Sequence, residues 1–176
     1  MAPPSPRSVL ALDVGRRRIG LAGCDPLGVT VTPLPALARG EFQADLGRLL
    51  ELVRRRRVAA LVVGLPLDAG QRPTPQGVHC RRYGLRLARA LAALGQPLPL
   101  AWVDEHASSW AAGERFGLHG DRSGRLDSAA AVLLLEQWLR EGPEPLDPAA
   151  FTAAFTADPV APAAIAVGSR ADADSF

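Results

Sequence analysis

Apolar side chains recur along this chain in two periods, and the alternation between them sets out its elements. Ser8 to Asp13 is apolar at successive positions, the signature of a strand covered on both faces and therefore central in its sheet. Ile19 to Cys24 and Val29 to Thr32 predict two more strands, separated by the turn residues Asp25-Pro26-Leu27-Gly28, and the three form a meander. The period then lengthens. Between Glu41 and Arg57, Leu46, Leu49, Leu50 and Val53 fall on one stripe of a helix. Ala59 to Leu65 is a buried-strand run ended by Pro66. Thr74 to Leu94 is a second helix, with Val78, Leu85, Leu87, Ala88 and Leu91 on its apolar side and Arg81, Arg82, Arg86 and Arg89 elsewhere. Leu98 to Glu105 is a further strand. Ser108 to Phe116 is a helix opened by a serine suited to capping, and Asp127 to Arg140 is apolar almost all round, so it should be buried.

After Gly142-Pro143 the pattern dissolves into Ala, Pro and Asp, with isolated large apolar residues such as Phe151 and Phe155. The organisation expected is a flexible N-terminus over 1–7, one domain over 8–142 and a disordered tail over 143–176, in which a short helix near Pro148 to Phe155 is compatible with the composition. A chain of 176 residues that is 48% hydrophobic suffices for one well-buried domain and no more. No apolar stretch approaches the roughly 18 residues of a membrane span, and residues 1–7 lack the apolar core of a signal peptide. A cytoplasmic location is therefore expected. Cys24 and Cys80 have neither metal-ligand spacing nor a framework to join, which makes them free buried thiols.

Charge changes this picture modestly. Residues 1–142 carry 19 Arg against 13 Asp and Glu, a net of +6, whereas 143–176 carry one Arg against five acids, a net of −4. A basic domain suits a polyanionic partner, although the excess alone is weak evidence. The chain has no lysine, so every basic side chain is a guanidinium able to grip phosphate through two N–H groups; a GC-rich genome explains that bias at least as well.

Three acidic stretches sit where elements begin or end: Asp13 after Leu10-Ala11-Leu12, Asp104-Glu105 after Trp102-Val103, and Asp127 after Arg125-Leu126. Carboxylates at the border of an apolar interior are costly unless paired or bound to cations, and a shared divalent metal is one resolution. Successive strand side chains face opposite ways, so only one of Asp104 and Glu105 can face the centre holding Asp13. Glu105 is the choice, since it ends the strand where the sheet opens. Each acid alone also fits an ordinary role: Asp13 in a strand-ending turn, Asp104 and Glu105 at a solvated strand end, Asp127 at the positive end of a helix dipole. Their joint occurrence in an α/β chain whose element order resembles a ribonuclease H-like fold, a mixed five-stranded sheet flanked by helices, favours the common site.

The residues also carry a family resemblance. Ala11-Leu12-Asp13-Val14-Gly15-Arg16-Arg17-Arg18-Ile19-Gly20-Leu21-Ala22, Asp25-Pro26-Leu27-Gly28, Val62-Val63-Gly64-Leu65-Pro66-Leu67, Asp104-Glu105 and Leu126-Asp127-Ser128-Ala129-Ala130-Ala131-Val132 resemble the YqgF, or RuvX-like, family over about residues 8 to 140. That family is described as Holliday junction resolvases of ribonuclease H-like fold, with bacterial members implicated in maturing the 5′ end of precursor 16S rRNA. The resemblance implies a metal-dependent nuclease in which Asp13, Glu105 and Asp127 hold two Mg²⁺ or Mn²⁺ ions, for which carboxylates are suitable ligands. It implies precursor rRNA as substrate, with the ribosomal small subunit as a further partner; structured DNA and a resolvase activity are the alternative. A monomer and a homodimer both stay open, a resolvase requiring the dimer.

Arg17, Arg18, Ser108, Ser109 and Arg125 are the candidates for substrate contact, although a soluble hairpin edge explains the first two arginines nearly as well and the serines are first a helix cap and only second a phosphate contact. Arg54 to Arg57 complements the dipole at a helix end, and His79 and His119 receive no role. The chain departs from the family's Asp-Glu-Arg-Leu-Ser/Thr with Glu105-His106-Ala107-Ser108-Ser109, losing an arginine beside the acid. It has Asp68 after Gly64-Leu65-Pro66-Leu67, and Asp121-Arg122-Ser123-Gly124-Arg125 where lysines are frequent. An actin-like or sugar-kinase-like ATPase would need a second domain and phosphate loop for which there is no room. A non-catalytic RNA-binding assembly factor is opposed by three retained acids, which repel a polyanion.

Overall fold

The computed structural model describes residues 8–105, 108–142, 145 and 147, apart from the side chains of 108–110 and 141. The expectations for residues 1–7, His106, the Ser108 and Ser109 side chains, the tail and its short helix thus fall outside the described residues. Among the described residues, five strands and four helices follow in the order β1 (Ser8–Val14), β2 (Arg18–Cys24), β3 (Val31–Ala38), α1 (Phe42–Arg56), β4 (Val58–Leu65), α2 (Pro75–Ala93), β5 (Leu100–Asp104), α3 (Ser108–Phe116) and α4 (Arg125–Glu141). The strands form one mixed sheet in the order β3-β2-β1-β4-β5. β1 pairs antiparallel with β2 and parallel with β4, β2 pairs antiparallel with β3, and β4 pairs parallel with β5. This topology is that of the ribonuclease H-like fold.

The unbroken apolar runs of β1 and β4 have the reason expected, since both strands are covered on both faces. Leu10, Leu12, Val14, Leu61, Val63 and Leu65 pack in one core with α1 and α2, while Val9, Ala11, Ala60 and Val62 pack in the other against Val132, Leu134 and Leu135 of α4. α3 lies outside α4, through Ala112 against Ala129 and Ala130. Burial of α4 is thus borne out, and Asp127 lies in its first turn, as expected. Cys24 and Cys80 are buried thiols outside any disulfide.

Three local readings are corrected. The third strand is not Val29–Thr32 but Val31–Ala38, continuing through Pro33 and Pro35. Prolines are tolerated there because β3 is an edge strand, where a missing N–H can face away from the ladder. The last strand starts at Leu100 rather than Leu98, because Pro99 precedes it. Arg81, grouped in the sequence reading with the polar side of the second helix, is only 6% exposed. Among the described residues no helix is long and apolar enough to cross a membrane.

Candidate active site

Alternation along β1 decides where Asp13 goes. Leu10, Leu12 and Val14 enter the α1–α2 core, so Asp13, in phase with Val9 and Ala11, faces α4. In β5, Leu100 and Trp102 lie in the first core and Ala101 and Val103 in the second, so Glu105 shares the face of Asp13 and Asp104 does not. The Glu105 N–H donates to the Leu65 carbonyl (3.1 Å), extending the β4–β5 ladder by one residue.

Two glycines flank Asp13 and leave room for the other acids. Gly20 is the register partner of Asp13 on β2, and a Cβ there would collide with the backbone carbonyl of Asp127. The missing side chain lets the first turn of α4 lie directly on the sheet. Gly64, on β4, does the same for Glu105: a Cβ there would sit 3.2 Å from its Oε2 and 2.7 Å from the Leu134 Cδ1. Ser128 fastens α4 in place, its hydroxyl donating to the Leu34 carbonyl (2.6 Å) and accepting from the Leu21 N–H (3.4 Å).

Asp13 and Glu105 are hydrogen-bonded through their carboxyl groups, and the Asp13 carboxyl is held well above the usual carboxylate range. Burial is the largest cause, followed by the negative charges of Glu105 and Asp127 and the bond to Glu105. Two carboxylates can bond to each other only by sharing a proton, so without a cation the pair carries one. Asp127 stands at the rim. Burial raises its pKa, while Arg18 beside it acts in the opposite direction. Among the described residues no three Asp, Glu, His or Cys side chains converge tightly enough to form a ready metal cage. Even so, a desolvated carboxylate pair whose proton a cation can replace, with a third acid within electrostatic range, suits a hard divalent ion.

The other expected site residues are dispersed. Arg18 opens β2 at the Asp127 side, and Arg17 is exposed in the preceding turn. Arg125 faces away, pairing with Asp121 at 3.5 Å and donating to the Ser123 hydroxyl at 3.2 Å. Ser108 and Ser109 open α3. Asp104 Oδ1 is buried without a hydrogen-bond partner among the described residues.

The sequence reading missed the support behind Asp13. The carbonyl of Val14 accepts from Gln76 Nε2 (2.9 Å) and from the Cys80 thiol (3.3 Å), tying the end of β1 to α2. Burial, with the charges of Glu105 and Asp13, pushes the Cys80 thiol up to about 12, so it stays protonated as a donor. α2 is itself fixed by Thr74, which caps it by accepting from the Gly77 N–H (3.1 Å) and donates to the Pro66 carbonyl (3.2 Å). Nothing local marks Gln76 or Cys80 for this role, whereas Gly20 and Gly64 lie inside conspicuous motifs.

A family model described as "RuvX: Holliday junction resolvase" matches residues 7–141. A protein of Parasynechococcus marenigrum (strain WH8102) named "Putative pre-16S rRNA nuclease" is 70% identical over 141 residues, covering 80% of this chain and 87% of its own length. One of the same name from Synechococcus sp. (strain CC9605) is 69% identical over 150 residues, covering 85% and 91%. Among solved structures, RuvC of T. thermophilus in complex with Holliday junction substrate is similar with a TM-score of 0.48 at 17% identity, over 76% of this chain and 95% of that one.

Proposed function

The chain belongs to the RuvX family, and from that premise we propose that it is a metal-dependent endonuclease that hydrolyses phosphodiester bonds in the 5′ extension of precursor 16S rRNA. The observation that carries the reading is the desolvated Asp13–Glu105 pair with Asp127 at its rim, at the end of the sheet where β1 and β5 stop. The shared name of the highly similar relatives favours precursor rRNA over a DNA junction.

Asp13, Glu105 and Asp127 would hold Mg²⁺ or Mn²⁺, and the carboxylate pair gives up its proton as it takes on that role. Held there by the three carboxylates as a pair, such ions would supply an activated water and stabilisation of the leaving oxygen. Arg18 offsets the charge of Asp127 and limits its repulsion of an approaching phosphate. Arg17, exposed at the turn, is free to contact backbone oxygens, and the start of α3 offers Ser108 and Ser109 for the same purpose. Arg125 is the weakest of these candidates, because Asp121 already engages it.

The test incubates the purified protein, with and without Mg²⁺ or Mn²⁺, with a 5′-extended 16S precursor RNA and in parallel with a four-way DNA junction. Metal-dependent cutting of the RNA is expected, and Asp13→Asn should abolish it by at least about 100-fold, since even residues behind metal ligands cost 10–100-fold. Paired symmetric nicks in the junction alone would replace this reading with the resolvase that the family description names. Binding without cleavage of either would leave an assembly factor.

A further inference from the structure

Beyond the carboxylates, past the turn that ends β1, lies a cleft of about 420 Å³ lined by Arg16, Arg39, Gly40 and His79. Arg39 is fixed at its centre. Its Nη1 donates to the Gly15 carbonyl (2.8 Å) and to His79 Nε2 (2.8 Å), and its guanidinium lies 4.8 Å from the centre of the Tyr83 ring. His79 is held neutral by burial and then by the positive charges of Arg39, Arg16 and Arg82, which leaves its Nε2 as an acceptor. Arg16 and Arg82 are exposed, and among the described residues no carboxylate forms an ion pair with Arg16, Arg39 or Arg82. Of the acids beside Gly40, Asp45 is buried and turned onto the Gly40 N–H, with its oxygens 3.1 and 3.3 Å away, and Glu41 is exposed at the start of α1.

A cleft with two guanidiniums in its lining, a third acting on its histidine and no ion-paired acid suits a group of concentrated negative charge that accepts in two directions. We propose that it binds a backbone phosphate of the nucleic-acid strand whose scissile bond lies over Asp13, a subsite that orients the strand without taking part in cleavage. This deepens the nuclease reading and rests on it for the identity of the strand. Arg16 is three residues beyond Asp13, so the two sites are separated by at most about 10 Å of chain. A strand crossing the carboxylates therefore reaches it within a short run of nucleotides. Arg39 lies over the Tyr83 ring and takes that aromatic face out of the cleft, so what the lining chiefly presents is positive charge and N–H donors suited to a phosphate.

Binding of a labelled single-stranded RNA in EDTA, followed by fluorescence anisotropy across a salt series, tests the subsite apart from chemistry. Arg16→Ala with Arg82→Ala should weaken binding about tenfold or more and lower the salt slope by about 1 to 2, as expected for one or two lost phosphate contacts. The single variant Arg16→Gln should move both readings the same way by a smaller amount, while Arg55→Ala, on the exposed end of α1, should leave them unchanged. Unaltered affinity and slope in the double variant, with its melting temperature intact, would overturn the proposal. Because no metal is present, weakened binding alongside a wild type that cuts nothing would sink the nuclease reading alone. Normal cleavage with unaltered binding would sink the subsite alone. Titration of inorganic phosphate at constant ionic strength, watched by NMR at His79, separates strand from free anion: tight saturation would make free phosphate the ligand and overturn the assignment.

Discussion

Asp13 shows how a single carboxyl can oppose the fold that holds it. Its folded pKa is raised, so the folded state binds the proton more tightly than the unfolded chain does. The stability this contributes is full below the usual aspartate range and is lost as pH rises through the raised value. The metal-free protein should therefore melt at lower temperature as pH rises from the usual aspartate range through the raised value, a slope that Asp13→Asn should flatten and saturating Mn²⁺ should oppose. Melting curves in EDTA and in Mn²⁺ across that range provide the check; an identical slope in Asp13→Asn would exclude Asp13 as its source. Gly64 acts at the same scale. Gly64→Ala should cost about 1–3 kcal/mol, because the new methyl meets the fully buried Leu134, and should weaken Mn²⁺ binding by displacing Glu105. Calorimetric titration with Mn²⁺ separates the second effect from the first.

Among elements, α4 carries the last acid to the sheet, and its placement depends on a side chain that is absent and one that is present. Gly20→Ala would drive a methyl into the backbone of Asp127, which no rotamer change relieves, so the loss should lie at the upper end of about 1–3 kcal/mol and include metal affinity. Ser128→Ala leaves the Leu34 carbonyl without its donor and should cost about 1 kcal/mol in denaturant melts. The helices that bear on the site were legible from period alone, since an apolar stripe at 3.6 residues survives any tertiary context. Strand ends were not. β3 runs past two prolines that elsewhere would have stopped it, and only its position at the sheet edge explains why it continues.

For the whole molecule, the charge division matters most. We propose that the folded unit ends near residue 142, so that a chain cut there loses the four net negative charges of the tail. At low salt it should associate faster with RNA than the full chain, and the difference should vanish as salt screens it. Stopped-flow association at two ionic strengths measures this, and equal rates at low salt would show that the tail's charge does not reach the binding face. The sequence by itself determined the two-faced central strands and the order of elements, and it singled out the three acids, with Glu105 over Asp104, as the candidate site, because these readings follow from periodicity and from the cost of charge beside an apolar core. Only the tertiary structure decided that the Asp13 and Glu105 carboxyls meet while Asp127 stays at the rim, that Gln76 and Cys80 hold the end of β1, and that Arg16, Arg39 and His79 meet in one cleft. Those groupings join residues from 23 to 92 positions apart, from Arg16 and Arg39 in one cleft to Asp13 bonded to Glu105. No local pattern encodes them, since they arise only when separate elements pack on one sheet.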